Sequence, residues 1–586
     1  VPVTSYTDLS VGELIRALDT VDAGGSPRLP DTEALVDRIV ESLANTVQRT
    51  GKVDALVKAC QGVADDCSRA KAEIVVTSLI AALARAELAP YAEDALVRIG
   101  STGVPSLTEA LGNIHPELRH RAACALGRIG PDAIDALPAL ILSLREVVPH
   151  GGGGILTFAH SHDINGHAIN ALGRIGEGAV PGLTKALANP DVRIRRGATL
   201  ALLTMTPEHA RCAVTALVDA LGDRDQDVRC GAIDALGGLG PMAASAVPAL
   251  LAALTAPSPV VRRAVVHSIG RIREDGLSAM AALGVASRDS DEGVRSCAIG
   301  ALEAIGGDSA VHLLIKATRD TTDRVASQVV AALGSLAALP QLTIPTIIAA
   351  MRTTGDTQGA AVKALGQFGA DAVTSVVALL HDADPDVRVA ALRAVAQLKE
   401  HASDAVPALI QALSDPDPAV RSQAVWALEK FDGDATRTIE AITDALKDED
   451  SWVRMAAAMS LATFGSAASA AIPVLVTLLD SGLESPDGYA ASFALRTIGE
   501  AVIPPLLEAL RAASPRLRSG AVYVLASYRG SATEAALIDM LDDQEAEVRL
   551  QAAVPLRWWG DDVREKVPLR WRAFVSTARF NDGPGS

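Results

Sequence analysis

The stretch VRCGAIDALGGLG, residues 228–240, decides the fold. Val228, Ala232, Ala235, Leu236 and Leu239 fall at i, i+4, i+7, i+8 and i+11, the spacing of one apolar helix face and not the alternation of a strand. The same stretch returns as VRRAVVHSIGRI from Val261, VRSCAIGALEAIG from Val294, VRVAALRAVAQL from Val387, VRSQAVWALEKF from Val420 and VRMAAAMSLATFG from Val453. Aligned on the apolar residue late in each copy, the series runs Leu96, Leu126, Leu172, Leu202, Leu236, Ile269, Leu302, Leu333, Leu365, Val395, Leu428, Leu461, Leu495, Leu525 and Leu556. Its spacings are 30 to 34 residues, except for one of 46 between Leu126 and Leu172.

Between copies a second pattern begins. Val247, Leu250, Leu251 and Leu254 open another helix, and Pro248 is tolerated in its first turn because no N–H is required there. Pro105, Pro138, Pro181, Pro345, Pro407, Pro473 and Pro504 repeat that signature. Turns such as ANPDVRIR (188–195) and SDPDPAVR (414–421) break one helix and cap the next. Each unit is therefore a two-helix hairpin, here a first and a second helix. A unit this small cannot bury its apolar face alone, so stability has to come from stacking on neighbours.

The pattern Asp-x-Val-Arg-x-x-Ala-x-x-Ala-Leu-Gly-x-Ile-Gly, followed by Ala-Val-Pro-x-Leu, resembles the HEAT repeats of the short, PBS-lyase-like bacterial class. The resemblance covers about 15 units over residues 85–560. It implies an all-α fold, a right-handed α-solenoid (superhelix) with helical caps, whose second helices line the concave surface. Proteins resembling this class serve as protein-binding scaffolds, as bilin-lyase or chaperone subunits, and occasionally as enzymes. The division expected is an N-terminal helical cap over 1–90, the repeats over 91–560, and a C-terminal cap and tail over 561–586.

Composition agrees. Of 586 residues 49% are hydrophobic but only 3% aromatic, which supports a large aliphatic core and disfavours sandwiches and barrels. A net charge of −17 repels phosphate backbones, so nucleic acid is not the expected partner. No basic, apolar leader begins the chain, and no run of about 18 uninterrupted apolar residues is apparent; a cytoplasmic protein without a membrane segment is expected. Cys60, Cys67, Cys124, Cys212, Cys230 and Cys297 form no C-x-x-C and read as small buried apolar residues.

An arginine follows the valine in ten units: Arg119, Arg195, Arg229, Arg262, Arg295, Arg388, Arg421, Arg454, Arg518 and Arg549. Asp227, Asp386 and Asp417 in equivalent turns suggest an Asp–Arg ladder tying adjacent turns. The ladder must break at Ala89, Asn165, Ala326, Gln358 and Gly488. The acidic run 223–227 lacks the Gly and the distal Glu of a calcium loop and reads as one of these turns.

The 46-residue gap is the one irregular unit. It carries PHGGGGILTFAHSHDINGH, an inserted Gly/His-rich loop at 149–167, with His150, Phe158, His160, His162, Asp163, Asn165 and His167. His115 and His120 stand in the preceding unit. Imidazoles at this density are candidate ligands or acid–base groups, so these nine residues are the candidate binding site, and a divalent metal is compatible with them. No other cofactor is predicted: there is no G-x-x-x-x-G-K-[ST], H-E-x-x-H or G-x-S-x-G. The function expected is a scaffold gripping a protein or peptide; the alternative is an enzyme or cofactor-handling protein with its site at the inserted loop. At the C-terminus, Trp558, Trp559 and Trp571 among Arg557, Arg564, Lys566, Arg570 and Arg572 read as a cap or as a small basic–aromatic surface.

Overall fold

The computed structural model describes residues 39–41, 69–146, 164–273, 277–318, 322–431 and 435–578. These residues are helical throughout with no strand among them, and they build an all-α solenoid. They divide into two compact units, Val1–Gly306 and Gly307–Ser586. The second helices of the first unit are α1 (Ala89–Ile99), α2 (Pro116–Ile129), α3 (Ile164–Ile175), α4 (Val192–Thr204), α5 (Gln226–Gly238), α6 (Pro259–Ile272) and α7 (Glu292–Ile305). Those of the second unit are α8 (Asp323–Leu336), α9 (Asp356–Gly366), α10 (Pro385–Leu398), α11 (Pro418–Leu428), α12 (Ser451–Phe464), α13 (Pro486–Ile498), α14 (Pro515–Leu525) and α15 (Ala546–Trp558).

Within each unit every second helix packs on the next. All fifteen aligned residues from Leu96 to Leu556 are buried in these seams. Many first helices are only two turns long, as in Val180–Ala186, Val247–Ala253 and Val406–Ala412, with the proline in the first turn where it costs no hydrogen bond. Second helices begin on aspartate caps: the carboxylates of Asp191, Asp225, Asp291, Asp384, Asp417 and Asp450 accept first-turn backbone N–H groups, each cap contributing about 1 kcal/mol.

The glycine of the Ala-Leu-Gly motif has a packing reason. At Gly127, Gly270 and Gly334 an added Cβ would lie 2.9, 2.9 and 2.7 Å from the Cα of Ala171, Ala301 and Ala364 on the following second helix. Only a hydrogen fits there, so the helices approach backbone to backbone.

The arginine ladder is present, with different acids. In all ten units the arginine Nη1 donates to two carbonyls of its own turn, for example Arg421 to Asp415 and Pro416, and so closes the link between first and second helix. Five of the guanidiniums also fork onto an aspartate of the next turn: Arg195 onto Asp223, Arg262 onto Asp289, Arg388 onto Asp415, Arg421 onto Asp448 and Arg518 onto Asp543. These acids, not Asp227, Asp386 or Asp417, are the rungs. Asp417 caps α11 and Asp227 pairs with Arg196. At Gln358 the amide donates to the Met351 carbonyl in the arginine's place, and at Ala326 the empty position opens a cleft of about 620 Å³.

The ladder sets a pH dependence. Arg262 holds the Asp289 carboxyl below the usual carboxylate range and Arg518 does the same for Asp543; beside the ladder, Arg193 holds the half-buried cap Asp191 at about 2. Folded values below the unfolded value of about 3.9 mean that this stabilisation is present above that pH and is lost as pH falls through the folded values. Circular-dichroism melts should show a steep fall in melting temperature between about pH 4 and 2. A melting temperature that stayed level down to pH 2 would remove the ladder as a source of stability.

One helical run is apolar enough on average to be set against the expected lack of a membrane segment, and one sequence expectation, that of the cysteines, needs correction. The helical run Ser451–Ser481 has a mean hydropathy of 1.7 and is long and apolar enough to cross a membrane. In the fold it is broken at Gly465, with φ 54°, into α12 and the next first helix, and Val453, Leu461 and Leu475 are buried core residues. The cysteines are not uniformly core: Cys230 is buried, Cys124 and Cys297 are half-buried and Cys212 is exposed. Cys60 and Cys67 lie outside the described residues. At the ends, Arg69–Leu83 packs on α1 and Leu569–Thr577 on α15. The indole of Trp571 donates to Asp542 and Arg557 donates to the Ala578 carbonyl, which ties part of the Trp/Arg tail to the last repeats, while Trp558 stays 76% exposed.

Candidate functional site

Helices α2 and α3 are drawn together where Gly127 meets Ala171. That approach sets one side of α2 against α3 a turn away. His120 and Cys124, at i and i+4, share a face of α2, and His167 comes from the first turn of α3. Cys124 Sγ lies 2.7 Å from His167 Nδ1, and the His120 and His167 rings meet edge to face with centroids 3.8 Å apart. One donor atom from each of the three side chains lies within 4.8 Å of the others, and all three residues are half-buried.

The cluster borders an open cleft of about 450 Å³ lined by Glu93 from α1, Cys124 and Arg128 from α2, and His167, Asn170 and Arg174 from α3. Arg128 is held in place by Glu93 at 3.1 Å and Asp94 at 2.6 Å. Burial, with Glu93 adding, pushes the Cys124 thiol up to about 11. A thiol held protonated in this way is not the poised thiolate of a nucleophilic Cys–His pair.

Of the nine residues expected from sequence, the fold brings two together, His120 and His167. His115 stands apart at the exposed N-cap of α2, where its N–H donates to Asn113 Oδ1. Asn165 falls in the first turn of α3. His150, Phe158, His160, His162 and Asp163 lie outside the described residues. Cys124 was missed by reading it as core; the signal was its place four residues after His120 on a predicted helix.

The cleft at Ala326 carries less chemistry. Its one charged residue is Asp323, whose carboxylate already accepts from Thr357 and from the Asp356 N–H.

The fold and these sites define a helical-repeat protein. Models of HEAT repeats match residues 214–284, 247–334, 373–443, 406–496 and 481–557, and the PBS lyase HEAT-like repeat matches 118–145. Together they take in more than half of the chain, which belongs to the HEAT-repeat family. No curated protein matches it. Among solved structures the chain is similar to the karyopherin Kap121p bound to the SUMO protease Ulp1p, at 12% identity over 96% of this chain and 75% of that one, TM-score 0.36. It is similar to Kap95p in its complex with RanGDP, at 13% identity over 97% and 90%, TM-score 0.41. Importin beta is similar at 14% identity over 97% and 84%, TM-score 0.38.

Proposed function

We propose that the protein is a scaffold that binds a protein or peptide on the outward row of its second helices. The observation that carries this reading is a run of large apolar side chains at one register position. Five residues beyond the ladder position stand Trp426 on α11, Met459 on α12, Phe493 on α13 and Tyr523 on α14. Phe493 is 42% exposed, and Tyr489, one turn before it, is 56% exposed. Trp452, which opens α12, is 60% exposed, and Arg496 sits 5.7 Å over the Tyr523 ring. Trp426, Met459 and Tyr523 are half-buried, so the row with its exposed Phe493 and the neighbouring Tyr489 and Trp452 has the composition of a binding hot spot, where aromatics offer large contact area at low entropic cost. The acidic chain favours a basic or neutral partner.

A photo-crosslinking residue placed at Tyr489 or Phe493 in the native host should capture a polypeptide. Purified, that polypeptide should bind a Tyr489→Ala/Phe493→Ala variant more weakly by about 2 kcal/mol or more. Equal binding by the double variant, or crosslinks from neither position, would sink the proposal. A second reading, a metal- or small-molecule-handling site, is favoured by the His120–Cys124–His167 cluster in the other unit.

A further inference from the structure

We infer that His120, Cys124 and His167 form a three-ligand site for a zinc-class divalent ion, with the fourth position opening on the cleft between α2 and α3. The inference is independent of the scaffold reading, which rests on the second unit.

Donor chemistry selects the class of ion. Two imidazoles and a thiolate suit a borderline-soft ion such as Zn²⁺, whereas Mg²⁺ and Ca²⁺ require an oxygen shell that this cluster does not provide. Geometry permits the ion. The i, i+4 pair on α2 offers two donors from one helix face, and α3 supplies the third across the close Gly127–Ala171 contact. Zn–S near 2.3 Å and Zn–N near 2.05 Å in a tetrahedron put the donors roughly 3.3–3.6 Å apart. Donor atoms now within 4.8 Å reach those separations by small side-chain rotations, with Cys124 Sγ and His167 Nδ1 moving slightly apart from 2.7 Å. On binding, the Cys124 S–H bond is replaced by an S–metal bond and the proton passes to solvent, while both rings coordinate as neutral imidazoles.

The cluster is not a by-product of the repeat. The register positions of His120 and Cys124 hold Arg196 and Leu200 on α4, Arg263 and His267 on α6, and Ser422 and Trp426 on α11. Among the described residues the N₂S set arises only where α2 meets α3, the helix that closes the 46-residue spacing. Three protein ligands beside an accessible cleft match the plan of a zinc site that keeps a position for water or substrate, not that of a closed four-ligand structural site.

The test uses full-length, tag-free protein stripped with a chelator. Titration should load one equivalent of Zn²⁺, and Co²⁺ should produce a thiolate-to-cobalt charge-transfer band in the near ultraviolet. Cys124→Ser should abolish that band. It and His167→Ala should each weaken Zn²⁺ binding by more than the roughly 10–100-fold that loss of an outer-shell partner costs. His115→Ala and Cys212→Ser, outside the cluster, should leave the band and the affinity unchanged. Should Cys124→Ser fail to fold, His120→Gln is the replacement variant and should give the same loss of affinity. Loading below about a tenth of an equivalent, or zinc held with no thiolate band and indifferent to Cys124→Ser, overturns the assignment.

Discussion

Valine in place of Gly334 should lower the stability of the protein by about 3 kcal/mol, read as a shift in the urea midpoint. Gly334 on α8 faces Ala364 on α9, and a Cβ built on it lies 2.6 Å from the Ala364 Cβ and 2.7 Å from its Cα. Neither atom can rotate away, so the two helices must separate, and the buried Leu333 and Leu365 separate with them. Alanine distinguishes this clash from ordinary helix propensity. In an open helix interior Gly→Ala gains about 1 kcal/mol, and Gly300 on α7 is such a site, because nothing lies within 4 Å of its added Cβ. Gly300→Ala should therefore stabilise while Gly334→Ala destabilises. If both stabilise, the seam is looser than described.

Asp487→Ala should cost about 3 kcal/mol, the low end for removing one partner of a buried pair. The ladder changes hand here. Gly488 takes the arginine's place on α13, and the residue before it, Asp487, turns inward at 1% exposure to accept Arg454 Nε at 2.8 Å and Nη2 at 2.6 Å. Gly488 is obligatory, since an added Cβ would collide with the Gly482 carbonyl oxygen. Without Asp487 the Arg454 guanidinium keeps only the Asp448 and Glu449 carbonyls, which limits the cost to the lower figure. Asp487→Asn, which preserves shape and one acceptor, should fall between wild type and Asp487→Ala. A loss below about 1 kcal/mol in Asp487→Ala would place this pair with ordinary surface ion pairs.

The repeat period was readable because every unit restates it, and each aligned residue from Leu96 to Leu556 occupies the core position its spacing implies. The ladder's arginines were equally plain, but its acids were not. A turn such as SDPDP offers Asp415 and Asp417 two residues apart, and only the stagger between neighbouring hairpins decides that Asp415 reaches Arg388 while Asp417 caps its own helix. The motif glycine was visible as a letter, but its reason lies in how closely two backbones cross, a quantity no single helix carries. At the candidate site His120 and His167 were marked by histidine density. That density also takes in His115, which stands apart, and leaves out Cys124, because a cluster of imidazoles says nothing of a thiol one helical turn beyond one of them.

Nearest-neighbour packing also bears on how the chain reaches its native state. Each second helix finds its main partners in its own hairpin and in the adjoining ones, about one repeat away along the chain. Contact order is therefore low for a polypeptide of this length, and little loop-closure entropy separates a new hairpin from the surface it joins. At ribosomal speeds of about 5–20 residues per second a repeat emerges within a few seconds, far longer than a helical hairpin needs to form. Each finished unit then offers its exposed seam as a template for the next, and the array can be assembled during synthesis, one hairpin at a time, without waiting for its C-terminus.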